Sequence, residues 1–192
     1  HRGKMNDLML RNKILLIGAG CVGASVAEIL VRSGVYNITV VDSDIFEIGN
    51  LSRHVLNISN IGEIKELSLC NYLNSLNPHA NVEVINNSLT IDEESKTNID
   101  LDKYGIIIDC TGEDGVLDII QNCDFKKKHI FASVSVGLGA NRLYITLMNN
   151  IDFNFSTFYD LIAPYLMSEK TLYNDYNLPR NGIGCWHPTF PG

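Results

Sequence analysis

The sequence predicts an α/β fold: a Rossmann-like, doubly wound and mostly parallel sheet with helices on both faces and an antiparallel extension at one edge. Three observations predict it. Short apolar runs alternate with helix-patterned segments through the first three quarters of the chain. Gly18-x-Gly20-x-x-Gly23 directly follows the first apolar run and opens a helical pattern. Asp42 closes the second run, roughly twenty residues further on.

Each element has its own warrant. Residues 13–17 are almost wholly apolar, as a strand buried on both faces must be. Residues 24–32 place Val26, Ala27, Leu30 and Val31 at helical spacing, and Ser33-Gly34 stops them. Residues 38–41 form the second strand. Residues 61–76 read as a helix with Ile64, Leu67, Leu69, Leu73 and Leu76 as its apolar stripe, ended by Asn77-Pro78. Residues 82–85 are the third strand, and the polar stretch 91–103 is expected to hold a short helix. Residues 104–109, a helix over 116–122 and a strand over 130–134 follow. Residues 142–148 after Gly137-Leu138-Gly139 predict the antiparallel edge strand. Residues 150–192 are aromatic and proline-spotted with no clear period, so no element is assigned there.

The 192 residues are read as one nucleotide-binding domain, with a core over about 12–148 and an irregular segment over 149–192. Hydrophobic residues make up 45% and charged residues 19%, the mixture of a globular chain. Fifteen basic against twenty-two acidic side chains give a net charge of −7, which argues against a nucleic-acid partner. The run Lys126-Lys127-Lys128 reads as a solvated loop before a strand. Five cysteines, none in a C-x-x-C pair, show no zinc site and suit reduced thiols in a cytoplasmic protein. No apolar run reaches the ~18 residues of a membrane helix.

The glycines permit a tight turn and let a phosphate approach the backbone at a helix N-terminus. Asp42 suits both ribose hydroxyls of a nucleotide without a 2′-phosphate, and Asp44 either assists or caps the next turn. These features point to an adenine nucleotide without separating NAD from ATP. Asn50-Leu51-Ser52-Arg53, then Lys65, then Asp109 at the end of the fourth strand, favour a triphosphate. Two cations suit charge developing on phosphate, and a carboxylate at a strand end suits Mg²⁺. Singly, each has a bland alternative: Arg53 pairs with an acidic neighbour, Lys65 is solvated, or Asp109 caps the loop at Thr111-Gly112.

Taken together, Gly18-Ala19-Gly20-Cys21-Val22-Gly23, Val41-Asp42-Ser43-Asp44, Asn50-Leu51-Ser52-Arg53, Ile61-Gly62 ahead of Lys65, Leu76-Asn77-Pro78 and Asp109-Cys110-Thr111 resemble the ThiF-type adenylyltransferase family. This superfamily includes the ubiquitin-activating enzymes and their bacterial sulfur-carrier and cofactor-biosynthesis relatives. The resemblance covers roughly residues 12–148. It implies ATP- and Mg²⁺-dependent adenylation of the C-terminal glycine carboxylate of a ubiquitin-like or sulfur-carrier protein, by a homodimer. Gly18, Gly20 and Gly23 would hold the nucleotide and Asp42 the ribose, with Asp44 beside it. Asn50, Arg53 and Lys65 would contact the triphosphate, and Asp109 would bind Mg²⁺.

Three departures stand beside the resemblance. Thr111-Gly112-Glu113-Asp114 replaces the family's threonine, aspartate, asparagine run. An upstream arginine has only Arg2 and Arg11 as candidates. The family's paired zinc cysteines and closing helix are missing, which is compatible with a fragment of a longer, multidomain protein. Cys185, two residues before His187 in an irregular segment, is a candidate thiol acceptor for the activated carboxylate. Two other classes use part of the same pattern: an NAD-dependent oxidoreductase, resting on the glycines and Asp42 alone, and a non-catalytic nucleotide-binding scaffold.

Overall fold

The computed structural model describes residues 11–92, 96–137, 142–151 and 153–172. Its strands are β1 (Ile14–Ile17), β2 (Asn37–Asp42), β3 (Asn81–Asn86), β4 (Ile106–Asp109), β5 (His129–Val136) and β6 (Leu143–Asn150). Its helices are α1 (Cys21–Arg32), α2 (Lys65–Leu76), α3 (Asp114–Gln121) and α4 (Phe155–Leu172). One six-stranded sheet runs in the order β3-β2-β1-β4-β5-β6. The first five strands pair in parallel, and β6 returns antiparallel along β5 with Val136 opposite Leu143. The expected doubly wound sheet with an antiparallel edge is present.

Every side chain of β1 and β4 is buried, which is why both strands read as unbroken apolar runs. Strand pleating sends alternate residues to opposite faces and so makes two cores. Ile14 and Leu16 join Ala24, Ala27 and Val31 of α1 and Leu69 and Leu73 of α2. Leu15 and Ile17 join Val116, Leu117 and Ile120 of α3 and Phe155 and Phe158 of α4. Between β1 and β4 the winding reverses direction. A sheet of this kind opens a crevice outside the carboxyl ends of its strands at such a reversal.

Several elements differ from the sequence expectation. Helix α1 starts at Cys21, inside the glycine motif, so all three motif residues after Gly20 are helical. Helix α2 starts at Lys65 rather than at 61, because residues 58–60 form a 3₁₀ turn and Ile64 is extended as the N-cap. Its buried stripe is Glu66, Leu69, Cys70 and Leu73, whereas Leu67 is exposed. The short helix expected within 91–103 is a 3₁₀ turn over Leu101–Lys103, preceded by an Ile91–Thr97 bridge.

The largest difference is α4, eighteen residues in a stretch to which periodicity assigned nothing. Phe155, Phe158 and Ile162 face the core, but Leu161, Tyr165, Met167 and Leu172 are apolar and exposed on the same helix. Apolar residues on both faces erase the amphipathic period. Pro164 lies inside the helix and obscures it further. No helix among the described residues is long and apolar enough to cross a membrane.

Candidate functional site

The glycine loop joins β1 to α1 at the winding reversal, and its glycines do different jobs. Gly18 takes φ +93, where L side chains are strained, and a Cβ there would press on the Thr111 backbone nitrogen at 3.0 Å. A Cβ at Gly23 would be driven into the Gly18 carbonyl. Both are required by the turn itself. Gly20 is different: an added Cβ meets nothing, and the residue is the N-cap of α1 with no side-chain cap and no acidic residue in the first turn. The positive end of the α1 dipole therefore faces open space, as an anion-binding helix start requires.

Asp42 ends β2 beside this loop. Its Oδ2 accepts a hydrogen bond from the Ala19 backbone N–H at 2.6 Å. Its Oδ1 accepts from the Ser43 and Asp44 N–H groups, each at 2.8 Å. Three backbone donors orient the carboxylate while leaving lone-pair capacity unused. Asp44 in turn accepts from Lys65 Nζ at 2.7 Å, and the Asp44 carbonyl accepts from the Lys65 N–H at 3.0 Å. Sequence order places these residues far apart; a continuous hydrogen-bonded path now runs from the glycine loop through Asp42 and Asp44 to Lys65.

Asn50 and Arg53 lie on the loop after β2. Asn50 Oδ1 accepts from the Glu47 N–H at 2.8 Å, and the Asn50 carbonyl accepts from the Arg53 and His54 N–H groups at 3.2 and 3.1 Å. This builds a 3₁₀ turn over Ile48–Asn50 that presents Arg53, which is half-buried. The next residue fastens the loop. His54 Nε2 donates to the Ala19 carbonyl at 2.8 Å, and the Leu56 N–H donates to Nδ1 at 3.2 Å. Nothing in the sequence analysis singled out His54; its position directly after Arg53 was the available signal.

Asp109 stands on the other side of β1, paired with Ile17. It is fully buried, and both of its oxygens accept hydrogen bonds. Oδ1 accepts from the Thr111 N–H at 3.0 Å and Thr111 Oγ1 at 2.7 Å, and Oδ2 accepts from Ser133 Oγ at 2.9 Å. Burial raises its pKa above the ordinary 3.8, while the bonds from Thr111 and Ser133 pull it back. A divalent cation needs carboxylate oxygens that face it. In this arrangement Oδ1 holds two donors and caps the turn at Thr111-Gly112, while Oδ2 holds one and keeps the lone-pair capacity that a single ligand bond to a magnesium ion would use. No group of three or more His, Cys, Asp or Glu gathers as a metal site among the described residues.

Glu66 is a second residue that periodicity did not flag. It is fully buried, and neither carboxylate oxygen has a hydrogen-bond partner. Burial raises its pKa, reinforced by the negative Asp42 and Asp44 and opposed by the nearby amide of its own backbone and by Lys65. Cys185 and Arg2 lie outside the described residues. An open cleft lined by Gln121, Phe153, Asn154, Phe155, Ser156, Tyr159 and Asp160 contains none of the expected site residues.

Comparison with known proteins identifies the family. Residues 4–159 match the ThiF family. The chain is 34% identical over 190 residues to the "ATP-dependent ubiquitin transferase-like protein Cap2" of Enterobacter hormaechei, covering 99% of this chain and 31% of that protein. It is 33% identical over 166 residues to the "Adenylyltransferase and sulfurtransferase UBA4" of Saccharomyces cerevisiae, covering 84% and 37%. It is 34% identical over 103 residues to the molybdopterin-synthase adenylyltransferase of Haemophilus influenzae, covering 52% and 40%. The chain thus spans well under half the length of these relatives. Among solved structures, E. coli TcdA in complex with AMP superposes with a TM-score of 0.50 at 27% identity, over 56% of this chain and 43% of that one. E. coli MccB superposes with a TM-score of 0.67 at 17% identity, over 90% and 50%, a likeness of fold.

Proposed function

Since the chain belongs to the ThiF family, we propose that it is the nucleotide-binding unit of an ATP-dependent adenylyltransferase that activates the C-terminal glycine carboxylate of a ubiquitin-like or sulfur-carrier protein. The observation that carries this reading is the path Ala19–Asp42–Asp44–Lys65. It couples the open space at Gly20 to a ribose-type carboxylate and a buried ammonium. A nicotinamide-dependent dehydrogenase has use for the first two and none for a buried lysine.

In the proposed reaction, a carrier carboxylate oxygen attacks the α-phosphorus of ATP. The bond between the α-phosphorus and the bridging oxygen breaks, and pyrophosphate leaves with that electron pair. The nucleophile is already ionised at neutral pH, so alignment and charge stabilisation matter more than a base. Asp42 accepts from the ribose hydroxyls. The α1 N-terminus, Asn50 and Arg53 hold phosphate oxygens. Lys65 moves from Asp44 to the phosphates as they arrive. A magnesium ion, which Asp109 would hold, would supply charge neutralisation on the pyrophosphate.

A second copy of the chain is the proposed partner of the sheet's exposed edge. Leu143, Ile145 and Leu147, 57%, 64% and 72% exposed, share a face of β6 beside Val136 of β5. Contiguous apolar side chains on an edge strand favour burial against another protein surface.

ATP–pyrophosphate exchange tests the reading. Exchange that appears only with a carrier ending in glycine supports it. NAD binding without ATP binding overturns it, as does exchange indifferent to removal of the terminal glycine.

A further inference from the structure

The Ala19 backbone is held on both sides of its Cα. Its N–H donates to Asp42 of β2, and its carbonyl accepts from His54 of the loop that carries Arg53. The two elements that contribute the ribose acceptor and the guanidinium therefore meet on one residue of the glycine loop. His54 is the side chain that makes the second connection.

The hydrogen-bond partners fix the state of the imidazole. A backbone carbonyl only accepts, so Nε2 must carry the proton that faces Ala19. The Leu56 N–H only donates, so Nδ1 must present a lone pair to it. One form of histidine satisfies both contacts. The Phe46 ring packs edge-on at 5.0 Å between centroids and an interplanar angle of 60°, walling the imidazole from one side.

We propose that His54 is a positioning residue that latches the glycine loop to the arginine-bearing loop, and that it does so only as the neutral imidazole protonated on Nε2. The inference rests on the nucleotide site described above and adds a component to it. Protonating Nδ1 would set one N–H against another at Leu56 and release that side of the latch. The charged groups facing His54 are Lys65 from α2 and Asp42 from β2. Burial disfavours the imidazolium and Lys65 adds to that, while the Ala19 carbonyl and Asp42 favour it, with a net downward shift from 6.5. The latch is closed at neutral pH and opens in acid. Because the folded pKa lies below the ordinary value, its contribution is complete above about 6.5 and disappears as pH falls through the lower, folded value.

Amide hydrogen exchange and ATP affinity, measured on the intact protein, test this together. In His54→Ala, residues 18–24 and 50–56 should exchange faster without nucleotide, while β4 amides stay protected as proof of folding. ATP affinity should fall about tenfold, the margin of one or two hydrogen bonds. His54→Gln keeps an amide donor for the Ala19 carbonyl and cannot titrate. It should stay near wild type at neutral pH, and wild-type affinity should drop relative to it below the ordinary imidazole pKa. Unchanged exchange in both segments in His54→Ala overturns the latch, as does an acid limb in His54→Gln matching that of the wild type. Absence of ATP binding to the wild type, with the exchange pattern intact, would sink the nucleotide assignment and leave the latch standing.

Discussion

Lys65 Nζ and Asp44 Oδ2 stand 2.7 Å apart, with the lysine side chain 6% exposed and the aspartate 69% exposed. The pair is lopsided. One charge is committed to the protein interior, and the other is largely solvated.

That asymmetry separates two variants. Asp44→Ala leaves a buried ammonium without its partner and should cost about 1–3 kcal/mol of stability, toward the lower end because solvent screens the exposed carboxylate. Lys65→Ala removes the cation as well and should abolish ATP–pyrophosphate exchange while folding normally. Chemical denaturation and exchange assays on the two proteins read this directly. Equal loss of exchange in both, with Asp44→Ala fully stable, would mean that Asp44 is a ligand contact rather than a holder of Lys65.

Two glycines of the same motif should respond in opposite ways. Gly23→Ala forces its Cβ against the Gly18 carbonyl and should destabilise the fold, visible as a lowered melting temperature. Gly20→Ala meets no atom within 4 Å and has an ordinary negative φ of −68. It should melt like wild type yet bind ATP more weakly, because the new methyl occupies the opening. Wild-type affinity in Gly20→Ala would remove that opening from the site.

Arg53 is expected to act on the reaction more than on the fold. Arg53→Ala should lower the exchange rate on the order of a hundredfold or more, the scale of losing a positioned charge-stabilising group. The melting temperature should change little. A tenfold or smaller change in rate would place the guanidinium outside the reacting phosphates.

Glu66 sets a pH-dependent penalty. Its folded pKa is raised, so any stability it contributes is present below its ordinary value of 4.5 and is lost as pH rises through the folded value. Above that point an unpartnered carboxylate sits in the core stripe with Leu69, Cys70 and Leu73. Glu66→Met, straight-chained and apolar, should therefore be more stable than wild type by about 1–3 kcal/mol at pH 8. The gain should shrink toward pH 4.5. Urea denaturation at several pH values measures it, and a gain independent of pH would point to packing instead.

The exposed stripe of β6 should govern association. Ile145→Asp places a charge in the middle of Leu143, Ile145 and Leu147 and should shift the sedimentation of the intact protein from dimer to monomer. Identical sedimentation in wild type and variant would rule this face out as the contact between copies.

Much of the architecture was legible because its causes are local. The buried strands β1 and β4 announce themselves as apolar runs, the glycine motif marks its own turn, and β6 follows from one more run beyond it. Helix α4 was not legible, since its apolar residues lie on both a packed and an exposed face and leave no period to detect. The start of α2 was misplaced for a related reason. Ile61 and Ile64 look like the beginning of a stripe, but Gly62 at φ +86 and the Ile45–Ile64 bridge hold them in a turn.

The site divides along the same line. Sequence alone determined the glycine turn of Gly18, Gly20 and Gly23, the carboxylates Asp42 and Asp109 that end their strands, and the cations Arg53 and Lys65 between them. Spacing and strand ends are properties of the chain read in one dimension. Only the tertiary structure decided what those groups touch. It tied Lys65 to Asp44, closed Asp109 around Thr111 and Ser133, and brought His54 to the Ala19 carbonyl across 35 positions of chain. Hydrogen bonds and burial depend on which elements pack together, and no local pattern in the sequence carries that.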